Sequence, residues 1–271
     1  MGPKVLFTRR LHGQILTSLA SRKLSSLVYL HFASDVASMV CPSSAVVGSR
    51  RHSMNGQPTS AREFEMKIGF IGAGPVAQTI AKHALSVGHQ VLLSNSRGPE
   101  SLAALVAELG SGAAAGTARE AAEQDLVVLA VKWWNVQAAL FSVGDWTGRI
   151  LVDTTNRVAS VQPLALGDIT GRTSSEIVAD LAPGAKVVKV FNTVPMSWIS
   201  DFSPAKQKTA FFVSGDDVGA KKAVSDLIDE IGFYSLDLGS LAEGGRLQQT
   251  GGPLVGVNLT FSERFVLPTI D

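Results

Sequence analysis

One short motif constrains this chain more than any other feature. The apolar run MKIGFI at 66–71 is followed by the glycine-rich stretch Gly72–Ala77 (GAGPVA), and an apolar-periodic segment then continues to Val87. This order predicts a β-strand, a tight turn and an α-helix, as in a dinucleotide-binding βαβ unit. We therefore expect an α/β protein whose first helix directs its amino end at a phosphate group.

The residues of this glycine-rich turn suit that role individually. Gly72 permits the turn, and Gly74 lacks a Cβ atom, so a pyrophosphate can approach the backbone. The small Ala77 lets the helix pack close to the strand, and Pro75 fits the first helical turn, where its missing N–H is not needed. Glycine-rich turns after strands also serve packing alone. Here the expected strand and helix lie on both sides of the turn, which favours nucleotide binding.

The end of the second predicted strand indicates which dinucleotide would bind. Gln90–Ser94 (QVLLS) ends where an NAD-binding protein is expected to carry an acidic residue for the ribose 2′-hydroxyl, but the chain continues as SNSRGP at 94–99. Ser96 and Arg97 offer a hydroxyl and a guanidinium to a 2′-phosphate, which an aspartate would repel. The alternative is that both residues only cap and flank the helix that begins near Pro99. The pattern favours NADP(H).

The remaining apolar runs predict a layered fold. Strands are predicted at 113–115, 125–131, 149–153, 186–191, 209–214 and 233–236, and helices at 103–109, 118–123, 174–181 and 217–231. The run DLVVLAV at 125–131 has no polar face, which implies helices on both sides of the sheet. We expect a Rossmann-type, doubly wound, mostly parallel sheet. A short carboxyl-terminal extension would replace the long helical dimerisation domain of many dehydrogenases.

The glycine- and glutamine-rich stretch at 244–253 belongs to that extension. Such a stretch can line a cleft over the sheet, but it is more often a surface loop. We therefore expect surface loops here.

The charge of the chain differs between its first 65 residues and the remainder. Residues 1–65 contain eight Lys or Arg and three Asp or Glu, whereas the remainder contains 16 and 20. The basic, serine-rich composition of residues 1–65 is typical of a transit peptide, and the alternatives are a disordered leader or an extension from a mis-assigned start. The expected organisation is this leader and an NADP-binding domain at 66–271. The expected location is the cytoplasm, or the mitochondrion if the leader is a genuine transit peptide.

Composition also excludes several classes of partner. The single cysteine, Cys41, rules out an intramolecular disulfide framework and a zinc site built from several thiolates. The Lys and Arg residues after position 65 are scattered, which argues against a nucleic-acid surface. The apolar stretch at 24–40 is interrupted by polar residues and is a poor membrane span. We expect a small-molecule acceptor as the partner, no metal, and room for a homodimer.

Several motifs together resemble one known family. The glycine-rich turn, the Asn-Ser-Arg turn at 95–97, the sequence DTTN at 153–156 and the sequence VFNTVP at 190–195 are similar to those of the coenzyme F420-dependent NADP oxidoreductase family. The resemblance covers essentially residues 66–271. It implies hydride transfer between NADP(H) and an 8-hydroxy-5-deazaflavin, on a fold also found in the cytoplasmic domain of membrane ferric reductases.

The resemblance also implies where the cofactor would lie. The phosphate-binding positions would be Gly72, Ala73, Gly74, Pro75 and Val76 for the pyrophosphate, with Ser96 and Arg97 for the 2′-phosphate.

The nicotinamide side would be bordered by Ala130, Val131 and the loop Lys132–Trp134, with Asn156 and Asn192 near the reacting rings. Two of these assignments have alternatives. Trp133 and Trp134 would either form a wall beside a flat ring or pack the following helix. The two asparagines would either lie near the rings or cap a helix or tie down a loop.

The histidines bear on the reaction type. His83 falls within the first predicted helix and His89 in the loop before the second strand, and neither position suits a proton donor. A carbonyl reductase normally benefits from such a donor, so the pattern favours a deazaflavin, flavin or ferric-chelate acceptor. The expected function is an NADP(H)-dependent oxidoreductase that transfers hydride to a flat conjugated acceptor. The alternatives are a reductase of another acceptor, such as an imine, and a non-catalytic NADP(H)-binding redox sensor.

Overall fold

A computed structural model of the protein describes residues 65–200 and 208–261. The leader predicted at 1–65, with Cys41 and the apolar stretch at 24–40, lies outside these ranges except for Glu65. Within them, no helix has both the length and the apolar character needed to cross a membrane.

Every strand and helix predicted from the sequence is present within one or two residues of its expected bounds. The largest difference is at the run 125–131, of which the four residues 126–129 form the strand. The strands are β1 Lys67–Ile71, β2 Gln90–Ser94, β3 Ala113–Ala115, β4 Leu126–Leu129, β5 Ile150–Asp153, β6 Val158–Val161, β7 Leu164–Leu166, β8 Lys186–Lys189, β9 Lys208–Gly215, β10 Tyr234–Asp237 and β11 Leu259–Phe261. The helices are α1 Pro75–Ser86, α2 Ala103–Leu109, α3 Ala118–Ala122, α4 Val136–Phe141, α5 Ser174–Leu181, α6 Val218–Glu230 and α7 Gly244–Gln248.

The main sheet confirms the doubly wound, mostly parallel prediction. Six parallel strands lie in the order β3-β2-β1-β4-β5-β8. This is the order of two mononucleotide-binding halves that meet at β1 and β4, where the chain changes direction across the sheet. Ligands of such sheets bind beyond the carboxyl ends of the strands, and we call that edge the ligand edge.

The core lies on both faces of the sheet because the side chains of each strand alternate between the faces. On one face, Leu126 and Val128 of β4 pack with apolar residues of α1 and α6. On the other face, Val127 and Leu129 pack with apolar residues of α3, α4 and α5. Each central strand is therefore buried on both sides, as its continuous apolar sequence predicted.

The last strands leave the parallel pattern. β9 runs antiparallel to β8 and pairs with it only at its end, where Lys189 faces Ser214 and Val188 faces Gly215. Residues 208–213 therefore extend past the end of β8 for about 20 Å at the usual rise per residue. There β9 pairs with β10 on one side and with β11 on the other. A small β6–β7 hairpin forms a separate sheet after β5.

The expectation of surface loops at 244–253 is wrong for the first part of that stretch. Gly244, Gly245 and Gln248 of α7 are buried, and Gln249 is only 7% exposed. A Cβ atom on Gly244 would lie 2.4 Å from Ser214 Oγ. The close packing of α7 against β9 therefore requires glycine at position 244. The prediction failed because composition alone does not reveal that Gln248 bonds to the sheet and Gln249 to the start of α5.

Candidate functional site

The turn after β1 is fixed by a close approach of two strands. Gly72 adopts a φ of +108°, and its N–H donates to Ser94 O over 3.0 Å. A Cβ atom at this position would lie 2.3 Å from Ala130 O, so glycine is required on both conformational and steric grounds. The same contact brings the ends of β1, β2 and β4 together at the ligand edge.

The amino end of α1 is open. Gly74 is the N-cap residue, no side chain caps the helix, and Pro75 occupies the first helical turn. A Cβ atom on Gly74 would meet no other atom within 4 Å. The first N–H groups of this helix, including that of Val76, have no intrahelical partner and are suited to an anion. Ala73 lies in the same turn, and its carbonyl oxygen accepts a hydrogen bond from Gln78 Nε2 over 2.9 Å.

The turn after β2 presents Ser96 and Arg97 to solvent. Asn95 Oδ1 accepts a hydrogen bond from the Arg97 N–H over 2.8 Å, which fixes the turn. The Ser94 hydroxyl donates to Phe70 O over 2.8 Å and so belongs to the sheet. Among the described residues, the ion pairs do not include Arg97. Its guanidinium is therefore available to a phosphate.

The capping alternative for Ser96 and Arg97 does not fit the geometry. Pro99–Leu102 forms a 3₁₀ helix whose N-cap residue is Gly98, and it has no side-chain cap. Neither Ser96 nor Arg97 therefore caps the following helix.

The residues predicted beside the nicotinamide divide into two groups. Ala130 and Val131 adjoin the glycine-rich turn, since the Ala130 N–H donates to Ile71 O over 2.9 Å. Trp133 is half-buried against the core, and a Cβ atom on Gly167 would lie 2.4 Å from its Nε1 atom. Trp134 is 49% exposed, and Lys132 Nζ lies 5.1 Å from its ring centroid. Trp133 therefore packs the fold, whereas about half of Trp134 is exposed.

The two asparagines are brought together by the ends of β5 and β8. Asn156 Nδ2 donates to Asn192 O over 3.1 Å, and Asn192 Nδ2 donates to Asn156 Oδ1 over 3.3 Å. Asn192 Nδ2 also donates to Gln248 O over 2.6 Å, and the Thr250 hydroxyl donates to Asn156 Oδ1 over 2.7 Å. These bonds tie both loops to the segment around α7, at the ligand edge.

A buried ion pair lies beneath these asparagines, and the sequence analysis did not identify it. The side chains of Lys189 and Asp153 are both 0% exposed, and Lys189 Nζ lies 3.0 Å from Asp153 Oδ2. Lys189 Nζ also donates to Thr155 O over 2.9 Å. The Ser175 hydroxyl donates to Asp153 Oδ2 over 2.6 Å. The pair therefore fixes the main chain that leads into Asn156.

Burial alone would raise the pKa of the Asp153 carboxyl. The positive charge of Lys189 and hydrogen bonds from Ser175 and Thr155 outweigh that effect and hold the pKa below its ordinary value. Asp153 is thus a carboxylate at neutral pH, and the pair serves to hold the site together.

The signal for this pair was present in the sequence but was not used. Lys189 interrupts the run KVVKVF, and a strand that is buried on both faces has no solvent for a lysine. A charged residue in such a strand requires a partner on a neighbouring strand. Asp153 ends the strand next to it.

The two histidines are bound to the main chain. His83 Nε2 lies 2.6 Å from Ile199 O, and burial lowers its pKa despite that contact. His89 Nδ1 accepts a hydrogen bond from the Met66 N–H over 3.3 Å, at the start of β1. His89 therefore lies at the opposite edge of the sheet from the ligand edge.

Comparison with a family model supports the resemblance inferred from the motifs. The model of the coenzyme F420-dependent NADP oxidoreductases matches residues 67–157, which include β1 to β5.

Two solved structures are similar over most of their length. Protein SMa0349 of Sinorhizobium meliloti is 36% identical with a TM-score of 0.67, and the match covers 73% of this chain and 96% of that one. A candidate F420-dependent NADP-reductase from Arthrobacter sp. FB24 is 30% identical with a TM-score of 0.57, and the match covers 65% of this chain and 86% of that one.

Curated relatives are longer proteins. The metalloreductase STEAP3 of Rattus norvegicus is 31% identical over 178 residues, which is 65% of this chain and 34% of that protein. The chain spans between 34% and 39% of the length of the curated relatives it matches.

Proposed function

The chain belongs to the family of coenzyme F420-dependent NADP oxidoreductases, and on this premise we propose that it binds NADP(H) and transfers a hydride between NADPH and a flat conjugated acceptor. The observation that carries the proposal is the uncapped amino end of α1 beside the exposed Arg97 turn. One is suited to a pyrophosphate and the other to a 2′-phosphate.

The residues of the two turns fit this cofactor. The open space at Gly74 gives a pyrophosphate access to the helix N–H groups, and Gly72 keeps the strand end close beneath it. Arg97 lacks an ionic partner among the described residues, and residues 94–97 include no acidic side chain that would repel a 2′-phosphate.

For the reaction itself, NADPH supplies the hydride, which leaves NADP⁺ and an acceptor reduced by two electrons. The protein must hold the donor and acceptor carbons about 3 to 3.5 Å apart in stacked planes. The half-exposed Trp134 and the Asn156–Asn192 pair are candidates to border those rings. No acid or base among these residues is required, because a proton that accompanies the reduced acceptor can come from solvent.

The preferred acceptor is a deazaflavin of the coenzyme F420 type, on the basis of the family. The similarity to the metalloreductase STEAP3 favours a second candidate, in which the electrons reach a ferric chelate. A ferric ion accepts one electron at a time, so this route needs a flavin to divide the hydride into two single electrons.

A stopped-flow experiment separates these candidates. NADPH oxidation would be followed by its absorbance with coenzyme F420, FAD, ferric citrate, and ferric citrate together with FAD. Rapid oxidation with coenzyme F420 alone is the expected result. Turnover that requires FAD, with or without iron, would indicate that the hydride acceptor is a flavin and not a deazaflavin. Tight NADPH binding without turnover on any acceptor would contradict the enzymatic proposal and favour a redox sensor.

A further inference from the structure

One polar atom at the ligand edge is left without a partner. Asn192 is 6% exposed, and among the described residues its Oδ1 atom accepts no hydrogen bond. A buried carbonyl oxygen that is unpaired costs free energy, and native proteins contain few of them. This exception lies between the ends of β5 and β8, within the candidate site.

The orientation of this amide is determined by its neighbours. Asn192 Nδ2 donates to two oxygens, Gln248 O at 2.6 Å and Asn156 Oδ1 at 3.3 Å. Rotation of the amide by 180° would place Oδ1 against both oxygens, so the nitrogen and oxygen positions are assigned by the hydrogen bonds. The side chain therefore offers only an acceptor to a ligand.

The supports of Asn192 are themselves held in place. Gln248 is fully buried; its Nε2 donates to Lys189 O over 2.9 Å, and its Oε1 accepts from the Ser214 hydroxyl over 3.1 Å. Asn156 is held by Thr250. The acceptor is held in one orientation from β8, β9 and the α7 segment. Its Oδ1 atom is covered in this structure, so a donor reaches it only when the groups above it move aside.

The position of Asn192 selects one half of the dinucleotide. The glycine-rich turn and the Arg97 turn occupy the half of the sheet formed by β1 to β3, which suits the adenosine phosphates. The ends of β4, β5 and β8 form the other half, where the nicotinamide is expected. On the nicotinamide ring, the carboxamide amino group is the only N–H donor.

We propose that Asn192 Oδ1 accepts a hydrogen bond from the carboxamide NH₂ of the nicotinamide and so fixes which way the ring lies in the site. This inference rests on the proposed binding of NADP(H). It makes Asn192 a binding residue, with Gln248 and Asn156 as positioning residues.

Calorimetric titration of the full chain tests the proposal without any turnover. The ligands are NADP⁺, its 3-acetylpyridine analogue, in which a methyl group replaces the carboxamide NH₂, and 2′,5′-ADP, which lacks the nicotinamide. The analogue is expected to bind the wild type about five- to tenfold more weakly than NADP⁺, the net worth of one hydrogen bond. In Asn192→Leu, which has no acceptor, the two dinucleotides should bind equally.

Two controls are needed to interpret the titrations. Asn258 is an exposed asparagine, and Asn258→Leu should retain the full discrimination. Binding of 2′,5′-ADP should be the same in all variants that fold, because this ligand does not reach Asn192.

The possible results are distinguishable. If the wild type binds NADP⁺ and its analogue equally, the inference is overturned whether or not Asn192→Leu folds. If the wild type discriminates and a folded Asn192→Leu variant discriminates as well, another group recognises the carboxamide and the inference is again overturned. If neither NADP⁺ nor 2′,5′-ADP binds, the proposed function itself fails, and the inference with it.

Discussion

Two glycines in one turn have different reasons to be glycine. At Gly72, φ is +108° and a Cβ atom would lie 2.3 Å from Ala130 O. At Gly74, φ has the ordinary value of −80° and a Cβ atom would meet no other atom within 4 Å. The first is needed by the fold. The second is not needed by the packing, and a ligand that approaches the backbone would account for it.

The two alanine variants should therefore behave in opposite ways. Gly72→Ala is expected to lower the free energy of unfolding by about 3 kcal/mol or more, because strain and overpacking add. Gly74→Ala should change stability by less than about 0.5 kcal/mol, as surface substitutions do. It should weaken NADP⁺ binding about tenfold, or about 1.4 kcal/mol. Chemical denaturation and calorimetric titration measure the two effects. Normal NADP⁺ affinity in Gly74→Ala would contradict the pyrophosphate assignment.

We expect Arg97 to decide between the two dinucleotides. Arg97→Ala removes a charge-assisted hydrogen bond to the 2′-phosphate, so NADP⁺ should bind about 10- to 100-fold more weakly while NAD⁺ binding changes little. Equilibrium dialysis with both dinucleotides measures the difference. Arg119→Ala, at another exposed arginine, is the matched control and should affect neither. Equal losses for NADP⁺ and NAD⁺ in Arg97→Ala would rule out the 2′-phosphate contact.

Among single residues, the sequence predicts those whose role depends on their neighbours along the chain. Gly72 and Gly74 were identified because the strand and helix beside them are adjacent in the chain. Lys189 was missed because its partner Asp153 is 36 residues away on another strand. Only the pairing of β5 with β8 makes the two side chains neighbours.

Among the elements, β5 and β8 depend on one another through that ion pair. Because the pKa of Asp153 is lower in the folded protein than its ordinary value of 3.8, the folded state binds fewer protons in this range. The contribution of the pair to stability is complete above the unfolded pKa. It is lost as the pH falls through the folded value.

Replacement of either partner should be costly. Asp153→Asn leaves the Lys189 ammonium buried without its counter-charge, and we expect a loss of about 3 to 5 kcal/mol at pH 7. The difference from wild type should shrink as the pH falls below 3.8. The double variant Asp153→Leu with Lys189→Met should be more stable than Asp153→Asn, because it buries no charge. Urea denaturation between pH 3 and pH 7 gives these values. The control is Asp229→Asn, at an exposed carboxylate.

Strands and helices could be predicted where a short run of sequence determines them. The runs at β4, β5 and β8 are rich in branched apolar residues, which favours strands. The direction of β9 was not predictable, because its sequence is equally compatible with a parallel or an antiparallel neighbour. The burial of Gln248 also depends on contacts distant in sequence, with Lys189 O and Ser214.

For the whole molecule, the described residues from Glu65 onward contain both faces of the sheet and every candidate site residue. The compact unit that includes them begins at Ser60. Residues 60–271 expressed alone should therefore unfold cooperatively at the Tm of the full chain. They should bind NADP⁺ with the same Kd within about twofold, a difference below 0.5 kcal/mol. Differential scanning calorimetry and titration compare the two proteins, and a marked loss in the shorter one would contradict a domain at 66–271.

The overhang of β9 determines where attachments to this protein can be made. β1 starts at the edge opposite the ligand edge, whereas β11 follows the extended part of β9 and ends at Phe261, opposite Lys208, beyond the ends of the parallel strands. A surface anchor or fluorophore joined directly before Glu65 would therefore begin at the edge of the sheet opposite the ligand edge. The same group joined directly after Phe261 would begin beyond the ligand edge, where we propose that cofactor and acceptor bind. For immobilised assays, the amino-terminal side is the better point of attachment.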